Sequence, residues 1–217
     1  MIPTPDLSHL TKEDYEHIYE PAEDTFILLD ALEQDAQKLR DLQPLVCLEI
    51  GSGSGCVSSF VGSILGASAA LYLCTDINSR ACCATRSTGR QNKIPLEPLN
   101  TFLAEPLFPR LHHAVDILLF NPPYVPTYSD EANAAQHGAD IQGSWAGGTD
   151  GIQVTEKLLQ QVEDLLSPSG RFYLVAVTQN DVPGIRARML KDYGLQSEVV
   201  LQRGAGIEHL FVIRMSR

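Results

Sequence analysis

The run LVCLEI, residues 45–50, leads without a break into GSGSG, residues 51–55. Its aliphatic residues are largely continuous rather than alternating, which predicts a strand covered on both faces and hence a parallel sheet sandwiched by helices. Gly51, Gly53 and Gly55 predict a turn that tolerates positive φ and lets a ligand approach the backbone. Such a turn lies at the carboxyl end of its strand, where open α/β sheets bind their ligands.

Working outward, strands are expected near 45–50, 70–76, 96–102, 115–120, 171–178, 196–201 and 208–215. Helices are expected near 22–38, 56–65, 79–92, 152–166 and 182–193, with SPSG (167–170) and DYG (192–194) as turn or C-cap signals. The last two strands are joined by RGAG (203–206), too short for a helix, so the chain should finish in an antiparallel hairpin. No repeat or linker divides the 217 residues, and a domain of this size can bury roughly 70% of the surface its unfolded chain exposes.

The five cysteines, Cys47, Cys56, Cys74, Cys82 and Cys83, form no C-x-x-C pair and have no matching histidine spacing, so no metal site or disulfide framework is expected. The N-terminus has no basic flank followed by an apolar run, and no 18-residue apolar stretch occurs; an intracellular, reducing setting is the expectation. Sixteen basic residues against 27 acidic ones leave a net charge of -11, with no basic stripe of the kind that tracks phosphates. Direct nucleic-acid binding is disfavoured on that ground.

The glycine spacing alone would also suit a dinucleotide protein, but that fingerprint wants a glycine where Cys56 stands, and Gly55 comes one residue early. Glu49, directly before the glycines, suits a cation-bearing ligand and would be awkward beside a pyrophosphate. Asp76 ends the second expected strand about 20 residues after the glycines, the place of a carboxylate that accepts ribose hydroxyls; it would equally serve as an N-cap for the helix expected at Ser79.

NPPYV, residues 121–125, follows the fourth expected strand and so emerges at the same sheet edge as the glycines. A planar nitrogen has a delocalised lone pair that attacks poorly. If the Asn121 side-chain oxygen and the Pro122 carbonyl accept its two N–H bonds, the lone pair is turned toward a methyl donor. Pro122 and Pro123 fix two φ angles and make that acceptor pair rigid, and Tyr124 can lie against the planar group. A rigid polar turn that merely ends the strand is the plainer alternative.

YEPAEDTFILLDAL, LEIGSGSG, CTDIN, FNPPYV and SWAGGTDG, in that order over almost the whole chain, resemble the eukaryotic HemK-like release-factor glutamine methyltransferases. The resemblance implies the class I S-adenosylmethionine-dependent methyltransferase fold, an α/β, Rossmann-like seven-stranded sheet with an antiparallel C-terminal strand and helices on both faces. It implies one domain over 1–217, with residues 1–40 covering the cofactor and 41–217 forming the core. It further implies S-adenosylmethionine as donor and the glutamine amide of the class I release factor's Gly-Gly-Gln loop as acceptor. The chain would be the catalytic subunit of a heterodimer with a small zinc-binding activator docked along the third strand (Leu96 to Leu103), in the cytoplasm and also in the nucleus.

Carried over by position, Thr25 would touch the cofactor, Glu49 and Gly51 its methionine part, Asp76 its ribose, and Asn121 both cofactor and substrate. Tyr19, Glu20 and Pro21 would close the pocket, and Val125 and Trp145 would lie on the substrate side. The helix starting after Pro21 would have Glu23 and Asp24 favouring its dipole. One departure stands out: the family's adenine-binding aspartate is replaced by Phe102, so that adenine would pack on Phe102 and Leu103 or reach Glu105. Two other acceptors fit the same fold, adenine N6 and a histone-type lysine, and a silent methyltransferase-like scaffold is the reading from another class.

Overall fold

A computed structural model describes residues 1–127, 138, 141–144, 146–148, 151–206 and 208–217. Seven strands form one sheet: β1 (Val46–Ile50), β2 (Leu71–Asp76), β3 (Leu96–Asn100), β4 (Val115–Phe120), β7 (Leu166–Val177), β8 (Gln196–Ala205) and β9 (Glu208–Ser216), in the order β3-β2-β1-β4-β7-β9-β8. The pairs among the first five run parallel, and β9 runs antiparallel to both β7 and β8. A separate two-stranded ladder joins β5 (Val125–Pro126) to β6 (Ala146–Gly148).

Successive residues of each central strand feed opposite cores, as the pleat requires. Cys47, Ile117, Leu119, Tyr173 and Val175 pack with helices α2 (Glu23–Gln34), α3 (Ala36–Asp41) and α4 (Cys56–Leu65). Leu48, Leu118, Phe120, Phe172 and Leu174 pack on the other face, against α6 (Phe108–Leu111), α7 (Gln153–Leu159), α8 (Val162–Leu165) and α9 (Val182–Tyr193). The aliphatic continuity of β1 and β4 follows from that double cover. The remaining helices are α1 (Lys12–Tyr15) and α5 (Ser79–Gln91).

Several boundaries differ from the sequence expectation, each for a tertiary reason. The helix expected over 22–38 breaks at Asp35, which is fully buried and accepts from the Tyr173 hydroxyl at 2.9 Å, from Lys38 Nζ at 2.8 Å and from Arg214. The SPSG segment is not a free turn but an irregularity within β7: Leu166 already pairs with Val115, and the ladder resumes at Ile117 and Arg171. β3 stops at Asn100 rather than 102, because the Asn100 amide donates to the carbonyls of Asp76 at 2.9 Å and Ile77 at 2.7 Å and turns the chain. Leu96 and Leu103 are buried, and the edge strand β3 carries Pro98, as edge strands tolerate. Among the described residues no helix is long and apolar enough to cross a membrane.

Candidate active site

Strand order reverses across β1, with β2 on one side and β4 on the other, and the carboxyl ends of all three open on one crevice. The cleft there encloses about 960 Å³ of empty space, part of it open to solvent. Tyr19, Pro21, Asp24 and Thr25 line it from the N-terminal segment, Glu49 to Ser54 from β1 and its turn, Asp76 from β2, and Phe120 to Pro123 from β4. The order of strands thus brings to one cavity groups scattered over a hundred residues.

The glycine turn is stapled from outside by α5. Thr85 Oγ1 donates to the Gly53 carbonyl at 3.2 Å and Thr88 Oγ1 to the Ser54 carbonyl at 2.6 Å. Gly55 has φ +78°, and a Cβ there would stand 2.7 Å from Thr85 Cα, so a side chain would force the staple apart. Gly53, at φ +51°, has nothing within 4 Å of where its Cβ would be. That empty side leaves the backbone open to a ligand.

Glu49 is 4% exposed, held by the Ser58 amide at 3.0 Å and the Ser58 hydroxyl. Burial pushes its carboxyl up to about 8, the Ser58 bonds oppose this, and nearby Asp76 adds to it. Burial also raises Asp76, against the pull of two backbone donors, Gly53 N–H and Asn78 N–H, both at 2.9 Å. Asp76 does not cap α5. Asn78 does, accepting from Arg80 N–H at 2.9 Å, which leaves Asp76 on the cleft wall. Among the described lining residues three carry carboxyls, Asp24, Glu49 and Asp76, and none is Lys, Arg or His. Such a cleft favours a cationic ligand and repels a pyrophosphate.

At the end of β4, Asn121 Oδ1 is buried and has no hydrogen-bond partner among the described residues. An orphaned buried acceptor costs about 1–3 kcal/mol, so one that faces a cleft is a place for a ligand donor. Pro122 and Pro123 are buried beside it. Glycines from the SWAGGTDG stretch back this loop: a Cβ on Gly147 would come 2.7 Å from the Pro123 carbonyl oxygen, and one on Gly151 would come 2.0 Å from that of Tyr124. Only glycine permits that approach.

Other expected residues fall elsewhere. Glu20 is exposed and off the cleft wall; Gly55 is buried beneath the turn; Val125 is 37% exposed and its backbone pairs with Ala146. Tyr124 flanks the wall rather than lining it, packed on the core. Trp145 lies outside the described residues. Phe102 and Leu103 do line the cleft, with Leu103 at φ +46°, whereas Glu105 is exposed and not on the wall. Lys157 Nζ sits 5.3 Å from the Phe102 ring centroid. Asp24 was readable only as a helix-dipole residue, yet it is 4% exposed, lines the cleft and accepts from both Tyr19 and Tyr124.

No protein-family model matches the chain. Human methyltransferase HEMK2 is 45% identical to it over 214 residues, covering 99% of this chain and 96% of that protein. The eRF1 methyltransferase catalytic subunit mtq2 of Schizosaccharomyces pombe is 43% identical over 228 residues, covering 100% of this chain and 96% of its own length. Among solved structures, the E. cuniculi Mtq2–Trm112 complex, responsible for the methylation of the eRF1 translation termination factor, has a chain that matches with a TM-score of 0.66 at 24% identity. The match covers 92% of this chain and 98% of that one. That likeness is one of fold.

Proposed function

Because the chain belongs to the HEMK2/mtq2 family of methyltransferases, we propose that it methylates the side-chain amide nitrogen of the glutamine in the Gly-Gly-Gln loop of eRF1. S-adenosylmethionine is the donor, and the chain is the catalytic subunit of a heterodimer. The observation that carries the reading is Asn121 Oδ1, a buried acceptor with no partner among the described residues, on the wall of a cleft whose described lining has carboxyls and no basic side chain.

The cleft fits this cofactor. Glu49 and Gly51 would hold the methionine part, where a cationic amino group restores the ionised form of a carboxyl that burial has raised. Asp76, already braced by Gly53 and Asn78, keeps lone pairs for ribose hydroxyls. Phe102 and Leu103 offer adenine an apolar wall in place of a carboxylate, while Tyr19, Pro21 and Thr25 close the other side. When bound, S-adenosylmethionine supplies an electrophilic methyl group on a sulfonium.

The protein's part is orientation. Asn121 Oδ1 and the Pro122 carbonyl accept the two amide N–H bonds and turn the nitrogen lone pair toward the donor. The nitrogen gains a methyl group and loses one N–H proton; it becomes acidic on methylation, so no strong general base is needed. Pro122 has no N–H to compete with the acceptor geometry.

The mtq2 relative is named a catalytic subunit and the Mtq2 chain is seen with Trm112. By the same reading this chain works with a small zinc-binding activator, paired along the edge strand β3, in the compartment where translation terminates. Tandem mass spectrometry of eRF1 after reaction with the heterodimer tests the proposal. One methyl on the Gly-Gly-Gln glutamine supports it; a methyl on lysine, or none on eRF1 with transfer to adenine, overturns it.

A further inference from the structure

Beyond its place among the cleft carboxyls, Asp24 has surroundings that give it a second role. It is the second residue of α2, 4% exposed, and its carboxylate gathers donors from three places. Tyr19 donates its hydroxyl to Oδ1 at 3.0 Å and to Oδ2 at 2.9 Å; Tyr124 donates to Oδ2 at 3.1 Å; and the Thr25 amide donates to Oδ1 at 2.6 Å. No ion pair to Asp24 occurs among the described residues, so the helix N-terminus and two phenols stabilise the buried charge.

The two tyrosines belong to different parts of the site. Tyr19 lies in the segment that covers the cleft, and Tyr124 ends the acceptor loop, 100 residues from Asp24. Behind Tyr124, its carbonyl is backed by Gly151, whose own carbonyl accepts from Asn180 Nδ2 at 3.4 Å. The Tyr124 backbone therefore lies against Gly151 on one side, while its hydroxyl is bonded to Asp24 on the other.

We propose that Asp24 is a positioning residue for methyl transfer: one carboxylate pins Tyr124 beside Asn121 and, through Tyr19, locks the cleft's cover to the acceptor loop. The inference rests on the reading that Asn121 to Tyr124 seats the acceptor amide. Asp24 lines the cleft but acts on the acceptor through Tyr124 and not on the reacting atoms, so its loss lowers turnover by more than it weakens cofactor binding.

A double-mutant cycle on the intact heterodimer tests this, with wild type, Asp24→Asn, Tyr124→Phe and the double variant. Each is scored for kcat and KM on eRF1, for the residue methylated, and for S-adenosylmethionine affinity by calorimetry. Asp24→Asn keeps the side chain's shape, and Tyr124→Phe removes only the hydroxyl, so folding is preserved by design and checked by thermal melting. Each single change is expected to lower kcat about 10- to 100-fold with KM and cofactor affinity within several-fold, and the double variant is expected to be no slower than the slower single. Losses that multiply, an unchanged kcat in Asp24→Asn, or cofactor affinity falling in step with kcat would overturn the role of Asp24 and leave the glutamine reading standing. Non-additive losses on some acceptor other than glutamine would do the reverse.

Discussion

Glu49→Gln is expected to make the free protein more stable while weakening its hold on the cofactor. Glu49 is 4% exposed, and burial raises its carboxyl from 4.5 to about 8. A carboxyl whose folded value lies above its unfolded one takes up a proton on folding. Its stability contribution is fully present below pH 4.5 and is lost as pH rises through about 8. At pH 7 the unfolded group is ionised and the folded one mostly protonated; pH 7 lies about 2.5 above the unfolded value of 4.5, which at about 1.36 kcal/mol per pH unit is roughly 3 kcal/mol against folding. Glutamine has the same size, keeps an oxygen for the Ser58 amide and hydroxyl, and does not ionise. Allowing for a weaker bond to Ser58, a gain of about 1–3 kcal/mol at pH 7 remains, or roughly 3–10 °C in Tm for a chain of this length. Thermal unfolding of cofactor-free wild type and variant, with partner and protein concentrations fixed, from pH 5 to 9 reads this directly. The gain should be small at pH 5, grow with pH and level off above about pH 8. A variant that melts at or below wild type throughout, or a gain independent of pH, refutes the reasoning. In the same variant the affinity for S-adenosylmethionine at pH 8 should fall by about tenfold or more, the size of a lost charge-assisted contact.

Asn121→Ala should cost about 100-fold or more in kcat with cofactor affinity within several-fold, measured by steady-state kinetics and calorimetry; near-normal turnover would remove the acceptor-pair mechanism. The two turn glycines should separate. Gly55→Ala, whose Cβ meets Thr85 backbone at 2.7 Å with φ +78°, should lose about 2–4 kcal/mol of stability in denaturant titration. Gly53→Ala, with φ +51° and open space beside it, should lose only about 1 kcal/mol yet bind cofactor markedly less well, because the methyl group stands on the open side of the turn.

The doubly covered sheet and its crevice were legible because they rest on local, repeated signals: apolar residues that run on rather than alternate in Val115–Phe120, interrupted only by Asp116, glycines after β1 and a helix-free link before β9. The alternative that Asp76 caps α5 could not be settled from spacing, since Asn78, two residues on, competes for that duty and performs it. What stayed hidden depends on partners distant in the chain. Asp35 breaks a helix because Tyr173 and Arg214 reach it from β7 and β9. Asp24 looked like any acid in a first helical turn until Tyr124 was brought against it. Asn100 ends β3 through side-chain bonds to carbonyls across the turn, which sends Phe102 and Leu103 to the cleft wall instead of extending the strand. The glycines of the SWAGGTDG stretch gave no hint from spacing that they let the backbone lie against Pro123 and Tyr124.

The central claim is that the site seats a planar amide, and the most direct measurement is transfer from labelled S-adenosylmethionine by the heterodimer to eRF1 carrying Gly-Gly-Gln or Gly-Gly-Ala. The account predicts label on the first protein and background on the second. Equal label on both, or none on either while another acceptor is methylated, would contradict it.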